Sequence, residues 1–189
     1  MAMRVHRRRL LETGLVAAAS MVAPAVIGQA RPRVVVVGGG AGGATAARYM
    51  ARDSNGQLAV TLVEENELYH TCFHSNLYLG GFKSYAEITH RCDTLASRYG
   101  IALARDRAEG IDRDRREVVL RGGTRLPYDR LVLSPGIDLK YDSVPGWSKT
   151  AEETMPHGWK PGPQTQLIRK KLEVVPNGGT IVMVAPPNP

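Results

Sequence analysis

RVVVVGGGAGGATAA, spanning residues 33–47, carries the strongest structural signal in this sequence. Its first part, Arg33–Val37, is a short run with four valines, which is typical of a strand buried on both faces. A glycine-rich turn with the spacing GxGxxG follows at Gly38–Gly43. Residues 44–52 are rich in alanine and favour a helix, and Ala59–Val63 is a second apolar run. The region therefore predicts a βαβ unit.

Each glycine of the GxGxxG turn has a separate task at the pyrophosphate of a dinucleotide. Gly38 permits the tight turn, Gly40 lets the backbone approach the pyrophosphate, and Gly43 lets helix and strand pack closely. The phosphates would lie at the helix N-terminus, where free N–H groups and the helix dipole favour negative charge. Glu64 ends the second strand, 21 positions after Gly43, where a carboxylate can accept both ribose hydroxyls of an adenosine. This order predicts a dinucleotide site without distinguishing FAD from NAD.

A second signal lies in YDRLVLSPG, residues 128–136. The Tyr-Asp pair, the apolar strand at 131–134 and the Pro135-Gly136 turn resemble the second FAD motif of flavoproteins with two dinucleotide-binding domains. In those proteins the strand returns to the FAD domain, and its terminal turn lies close to the cofactor. Any strand that ends in a Pro-Gly turn has the same local pattern, but together with the upstream glycine motif this segment favours FAD.

Cys72 lies in the loop after the second strand, within YHTCFHSN at residues 69–76. Ligands of this fold bind beyond the carboxyl ends of the parallel strands, so the loop can reach a cofactor. A cysteine there can attach to a flavin or react with a substrate. Three other interpretations stay open: a structural thiol, a disulfide with Cys92, and a metal site of His70, Cys72 and His74 completed by a ligand from elsewhere.

The rest of the chain continues the α/β pattern. Residues 66–82 read as a loop, and Ser84–Glu87 has the capping-box spacing that opens a helix. That helix ends at Gly100 and carries Cys92 on its apolar face, as an inert core thiol. The other predicted elements are strands at 101–104, 117–120, 131–134 and 180–185 and a helix at 164–173.

The first thirty residues have the features of an export signal. Arg7-Arg8-Arg9-Leu10-Leu11 is an RRxΦΦ arrangement of the twin-arginine type, and a largely apolar stretch follows it. Small residues at Gly28 and Ala30 suit cleavage after Ala30. We therefore predict a signal peptide over residues 1–30 and a periplasmic protein. An uncleaved anchor is the alternative, but polar residues and Pro24 leave this stretch short of the about 20 apolar residues that a span needs.

Charge and cysteine content exclude several classes of protein. Four arginines against Glu12 give residues 1–30 a charge of +3, which leaves +4 of the total of +7 for residues 31–189. No basic stripe with interleaved aromatic residues accompanies it, so we expect no nucleic-acid partner. The two cysteines form neither a zinc ribbon nor a c-type haem attachment. No metal site is assigned, and no further segment is long and apolar enough to cross a membrane.

As a set, these motifs resemble the flavoprotein subunit of flavocytochrome c sulfide dehydrogenase. The likeness extends over nearly all of residues 31–189, and its most specific parts are Thr71-Cys72 and the WKxGxQT run at 159–165. In that family the cysteine that matches Cys72 is bonded to the 8α-methyl group of FAD. The resemblance therefore implies covalent FAD through Cys72, sulfide as the substrate, and a c-type cytochrome subunit as the partner.

The resemblance also implies a domain plan and leaves three other functions open. It assigns residues 31–150 to the FAD-binding domain and residues 151–189 to the incomplete start of a second, dinucleotide-binding-like domain, so the chain reads as truncated. The family's redox-active cysteine pair is expected beyond Pro189, and no catalytic residue is assigned before it. The alternatives are a sulfide:quinone oxidoreductase, another FAD- or NAD(P)-linked oxidoreductase, and a non-catalytic flavin-binding remnant.

Overall fold

The computed structural model describes residues 30–184, which form a mixture of strands and helices. Apart from Ala30, the predicted signal peptide lies outside the described residues. In chain order the elements are β1 (Arg33–Val37), α1 (Ala41–Asp53), β2 (Ala59–Val63), β3 (Leu68–His70), α2 (Ser75–Leu79), β4 (Thr89–Arg91), α3 (Asp93–Tyr99), β5 (Ala102–Ala104), β6 (Ala108–Asp112), β7 (Glu117–Leu120), β8 (Arg125–Pro127), β9 (Arg130–Leu133) and α4 (Pro163–Glu173).

A four-stranded parallel sheet, in the order β5-β2-β1-β9, positions the functional site. β1 pairs with β2 from Arg33 opposite Ala59 to Val37 opposite Val63. β9 pairs with the other side of β1 and β5 with the outer side of β2, all in parallel, so all four strands end at the same edge of the sheet as the glycine turn. The predicted α/β, Rossmann-like fold is confirmed.

Both faces of β1 are buried, as its valine run predicts. Val34 and Val36 face a core that α1 and α3 complete, and that core contains Ala47 and Cys92. Val35 faces the opposite core, which the antiparallel meander β6-β7-β8 covers. Burial of alternate side chains in two separate cores holds β1, and therefore the turn that follows it, in one position.

The segment between β2 and β5 differs from its prediction. Ser84 does form the capping bonds to Glu87, since its N and Oγ donate to Glu87 Oε2 at 2.8 and 2.9 Å, but they close only a short 3₁₀ turn at Ala86–Ile88. The chain then extends into β4, which pairs with β3. The predicted loop 66–82 is therefore partly ordered, because β3 and α2 lie within it. Cys92 is buried as predicted, just before α3.

Three further features differ from the prediction: the start of α1, two additional strands, and the region after residue 180. α1 begins at Ala41, inside the glycine motif, because only the first glycines of the motif are needed for the turn. β6 and β8 flank β7 in a meander and were not predicted, because their own sequences are short and contain charged residues. The predicted strand at 180–185 is not a strand over 180–184, where Met183 is 91% exposed. No strand within residues 30–184 pairs with it, and an isolated strand has no ladder of hydrogen bonds to hold it.

Candidate functional site

The glycine turn between β1 and α1 is packed too tightly for any side chain at two of its positions. Gly38 has a φ of +99°, and a Cβ atom there would lie 2.0 Å from the Ser134 carbonyl oxygen. A Cβ atom on Gly43 would lie 1.8 Å from the Gly38 carbonyl oxygen. Both neighbours are backbone atoms, which cannot rotate away. The first and third motif glycines thus allow strand, turn and helix to meet.

Gly40 instead leaves space at the N-terminus of α1. It is the N-cap residue, no side chain caps the helix there, and the first helical bond runs from Ala44 N to Gly40 O at 2.9 Å. The N–H groups before Ala44 donate no bond within the helix. A Cβ atom on Gly40 would meet only the Tyr69 ring, at 3.7 Å. Free donors and an approachable backbone make this helix end suited to a phosphate.

Glu64 lies beside the turn, as the strand-acid spacing predicts. Its Oε2 accepts a hydrogen bond from Gly39 N at 2.6 Å. Its Oε1 accepts two more from Asn66, one from the backbone N at 2.7 Å and one from Nδ2 at 2.9 Å. The sequence offers no signal for Asn66, because a polar loop residue two positions after a strand is common.

The end of β9 covers the glycine turn from the other side. Ser134 N donates to the Val37 carbonyl oxygen at 2.8 Å, and Ser134 Oγ lies 2.9 Å from where a Cβ atom of Gly42 would stand. Gly136, with a φ of +80°, turns the chain away. The Pro135-Gly136 turn therefore leaves the sheet directly after the residue that contacts the glycine motif.

Asp129, the acidic residue of the predicted Tyr-Asp pair, has a structural role. It accepts a hydrogen bond at Oδ2 from Arg33 N at 2.6 Å and another from Arg33 Nε at 3.3 Å. These bonds tie the start of β9 to the start of β1. The Arg33 guanidinium, followed by its backbone N–H, lowers the pKa of Asp129.

Cys72 is an exposed free thiol, and Cys92 is a buried one. The alternative of a disulfide between them is therefore wrong. Cys72 opens a 3₁₀ turn, and its carbonyl oxygen accepts a bond from Ser75 Oγ at 2.7 Å. Burial, and then the nearby Cys72, raise the pKa of the Tyr69 hydroxyl. Since the Tyr69 ring also borders Gly40, Tyr69 lies beside both the thiol and the glycine turn.

Thr71 carries an orphaned polar atom next to this thiol. It is 3% exposed, and among residues 30–184 its Oγ1 has no hydrogen-bond partner. A buried hydroxyl without a partner costs free energy, so it calls for an absent ligand group or a water molecule. The uncapped helix, the fixed Glu64 carboxylate and this orphaned hydroxyl together fit a large polar ligand such as FAD.

His70 and His74 do not form a metal centre with Cys72. His70 Nδ1 lies 3.0 Å from Thr89 Oγ1, and its Nε2 lies 3.3 Å from the Tyr85 hydroxyl, so both ring nitrogens are engaged. Burial lowers the pKa of His70. Across the described part of the chain, no three metal-binding side chains come together, and the metal interpretation therefore lacks support.

A buried acid–histidine pair holds the WKxGxQT run in place. His157 Nε2 lies 3.0 Å from Glu152 Oε1, which also accepts from the Tyr141 hydroxyl at 2.5 Å. This bond to Glu152 raises the pKa of Tyr141 to about 12. His157 Nδ1 accepts from Lys160 N at 3.5 Å, and the Trp159 ring stacks on the imidazole. Sequence spacing does not predict this pair, because Glu152 and the Tyr141 hydroxyl that also binds it lie in separate turns.

α4 packs against α2, the short helix that directly follows the turn carrying Cys72. Arg169 Nη1 donates to the Tyr78 carbonyl oxygen at 2.5 Å, and the guanidinium lies 5.0 Å from the centroid of the Tyr78 ring. At the other end of α4, the position of a Cβ atom on Gly162 lies 3.6 Å from His70 Cδ2. Arg169 and Gly162 therefore contact α2 and β3, the two elements that flank Cys72 along the chain.

Known proteins share this arrangement over most of the chain. The family model described as "Pyridine nucleotide-disulphide oxidoreductase" matches residues 32–179. The sulfide-quinone reductase of Aquifex aeolicus is 30% identical over 109 residues, which are 57% of this chain and 25% of that protein. An alternative NAD(P)H-ubiquinone oxidoreductase C1 of Arabidopsis thaliana is 34% identical over 136 residues, or 61% of this chain and 25% of that protein.

Solved structures show the same fold. The sulfide:quinone oxidoreductase of Aquifex aeolicus superposes with a TM-score of 0.60 at 25% identity, over 75% of this chain and 32% of that one. A putidaredoxin reductase–putidaredoxin complex gives a TM-score of 0.59 at 25% identity, over 76% and 35% of the two chains. The chain thus spans about a quarter of the length of the curated relatives it matches. Within the described residues, no helix has the length and apolar character needed to cross a bilayer.

Proposed function

Because the chain belongs to the pyridine nucleotide-disulphide oxidoreductase family, we propose that it forms the FAD-binding part of an oxidoreductase that acts on sulfide. The specific proposal is a sulfide dehydrogenase of the flavocytochrome c type, with a c-type cytochrome as the electron acceptor. One observation carries it: an exposed thiol, Cys72, stands in the loop whose Tyr69 borders the glycine turn. An exposed thiol at this place could form a covalent bond to the flavin.

Different residues of the site would bind different parts of FAD. Gly38, Gly40 and Gly43 shape the turn at which the pyrophosphate would lie, and Glu64 would accept a ribose hydroxyl. Pro135-Gly136 would lie near the flavin half, and Cys72 would hold that half covalently. When bound, FAD supplies the ability to take up two electrons together and to release them one at a time.

The proposed reaction balances without a further reactant. Hydrosulfide that is oxidised to the zero-valent sulfur level releases two electrons and one proton, and two ferric cytochromes each take up one electron. In this mechanism hydrosulfide would be the nucleophile: it would attack one sulfur of a disulfide-linked cysteine pair and release the other cysteine as a thiolate. Export of the folded, flavin-loaded protein by the twin-arginine route would place it with its cytochrome in the periplasm, where a covalent bond prevents loss of the cofactor.

A sulfide:quinone oxidoreductase is the second candidate, and one observation favours it. The sulfide-quinone reductase of Aquifex aeolicus is similar in both sequence and fold. The two candidates differ in the electron acceptor. We expect the native protein, purified with its partner, to reduce cytochrome c in the presence of sulfide. Reduction of a soluble quinone instead, without reduction of cytochrome c, would favour the second candidate.

The tether is tested by intact mass under denaturing conditions. The wild-type protein should retain the mass of one FAD, because a thioether bond survives unfolding. Cys72→Ala should bind FAD that is released completely on denaturation. Cys92→Ala is the matched control, because it removes the other thiol, which is buried. Flavin that stays attached in Cys72→Ala, or is missing from the wild-type mass, would refute the tether.

A further inference from the structure

Asn66 lies where it can control the acid that ends β2. Its two N–H donors bind Glu64 Oε1 at 2.7 and 2.9 Å, while Gly39 N binds Oε2 at 2.6 Å. All three donors are N–H groups, so Glu64 serves here only as an acceptor. The carboxylate is thus fixed from two sides, by the glycine turn and by the loop after β2.

The number of remaining acceptor positions shows where a ligand can bind. A carboxylate offers about four lone-pair positions, two on each oxygen. Asn66 fills both positions on Oε1 of Glu64, and Gly39 fills one on Oε2. The position that remains is on Oε2, the oxygen next to the glycine turn. A ligand hydroxyl therefore finds its acceptor close to the place where the pyrophosphate would lie.

The neighbouring charges leave this arrangement undisturbed. The next carboxylate in the loop, Glu65, is paired with Arg121 at 2.5 Å and does not compete for the Asn66 amide. Asn66 itself is exposed, so its side chain fills no part of the core. Its removal would leave no cavity, and its effect should be confined to Glu64.

We propose that Asn66 is a positioning residue for the adenosine ribose: it saturates Oε1 of Glu64 and thereby directs the ribose hydroxyl to Oε2. The inference rests on the proposed function, because it requires a bound adenine dinucleotide. Asn66 does not touch the ligand and acts only through Glu64. A carboxylate that is already held in place loses little conformational freedom on binding, which favours affinity.

Competition between ADP and its deoxy forms tests this role. The parent is the flavin-free Cys72→Ala protein, in which binding is reversible, and FAD fluorescence reports displacement by ADP, 2′-deoxy-ADP or 3′-deoxy-ADP. We expect the parent to prefer ADP over one deoxy form by about tenfold. Asn66→Ala should reduce that preference to about threefold or less. Asn177→Ala, which changes an exposed asparagine far along the chain, should leave it unchanged.

Two more variants separate positioning from general damage. Asn66→Asp has nearly the same shape but presents an oxygen to Oε1, so it should weaken ADP binding more than Asn66→Ala does. In a Glu64→Ala background, Asn66→Ala should have no additional effect, since nothing is left to position. An unchanged ribose preference in Asn66→Ala, or an additional loss in the Glu64→Ala background, would overturn the inference. A parent that binds neither FAD nor ADP would overturn the proposed function itself.

Discussion

At the scale of single residues, the site is defined by backbone approach rather than by charged side chains. Gly38 and Gly43 lie so close to backbone carbonyls that a methyl group cannot be placed at either position. Sequence spacing predicts both constraints, because GxGxxG encodes them directly. It cannot predict Asn66 or the orphaned Thr71 hydroxyl, since both depend on how a loop folds back.

Gly43→Ala tests the close packing of α1 on the turn. The added methyl group would overlap the Gly38 carbonyl, so we expect a loss of at least the about 1–3 kcal/mol that overpacking costs, together with loss of FAD binding. Urea denaturation measures the first and flavin fluorescence the second. Gly158→Ala, where a Cβ atom meets nothing within 4 Å, is the control. Equal stability of the two variants would show that the turn can relax.

At the scale of elements, long apolar runs were predicted well and short polar ones poorly. β1 and β2 agree with their predicted bounds, since a run of buried β-branched residues has few alternatives. The helix predicted from Ser84 to Gly100 forms only in its second half, as α3 ending at Gly100. Its first half fails because β3 is available as a partner for residues 89–91, which a helical pattern cannot reveal. The meander strands β6 and β8 were missed for the same reason: their partner, not their composition, orders them.

Asp129 joins two elements and should make their pairing sensitive to acid. Because Arg33 lowers its pKa below the ordinary value of 3.8 in the folded state, Asp129 stabilises the fold above that pH. This contribution disappears as the pH falls below about 3.8 and the carboxylate takes up a proton. We expect Asp129→Asn to lower Tm at pH 7 and to reduce the further fall of Tm on acidification.

Thermal unfolding between pH 7 and pH 3 measures this effect. Asp114→Asn, which changes an exposed aspartate in the turn before β7, should give the wild-type curve. Curves for wild type and Asp129→Asn that run parallel over the whole pH range would show that the bond from Arg33 contributes nothing to acid sensitivity.

At the scale of the whole molecule, the C-terminal helix supports the proposed flavin loop. Arg169 binds the Tyr78 carbonyl and stacks on its ring, which joins α4 to α2, the helix that directly follows the turn bearing Cys72. Removal of the guanidinium should lose the about 1–2 kcal/mol of stabilisation that this contact contributes. We expect Arg169→Ala to bind FAD but to attach a smaller fraction of it covalently, because Cys72 would be held less firmly.

The ratio of attached to released flavin after denaturation checks this expectation. Lys170→Ala removes the neighbouring, exposed cation from the same helix and should attach flavin as the wild type does. Complete attachment in Arg169→Ala would mean that α4 does not control the position of the thiol.

The burial of β1 on both faces has a consequence for mutations in the two cores. A larger side chain at Val36 would press on α1, and one at Val35 would press on the meander. Either displacement passes along one continuous strand to Gly38, which lies two positions after Val36 and three after Val35. Mutations deep in the hydrophobic interior would thus be found in a genetic screen as failures to retain cofactor, and added riboflavin would partly restore them, because a higher cofactor concentration favours the bound, folded state.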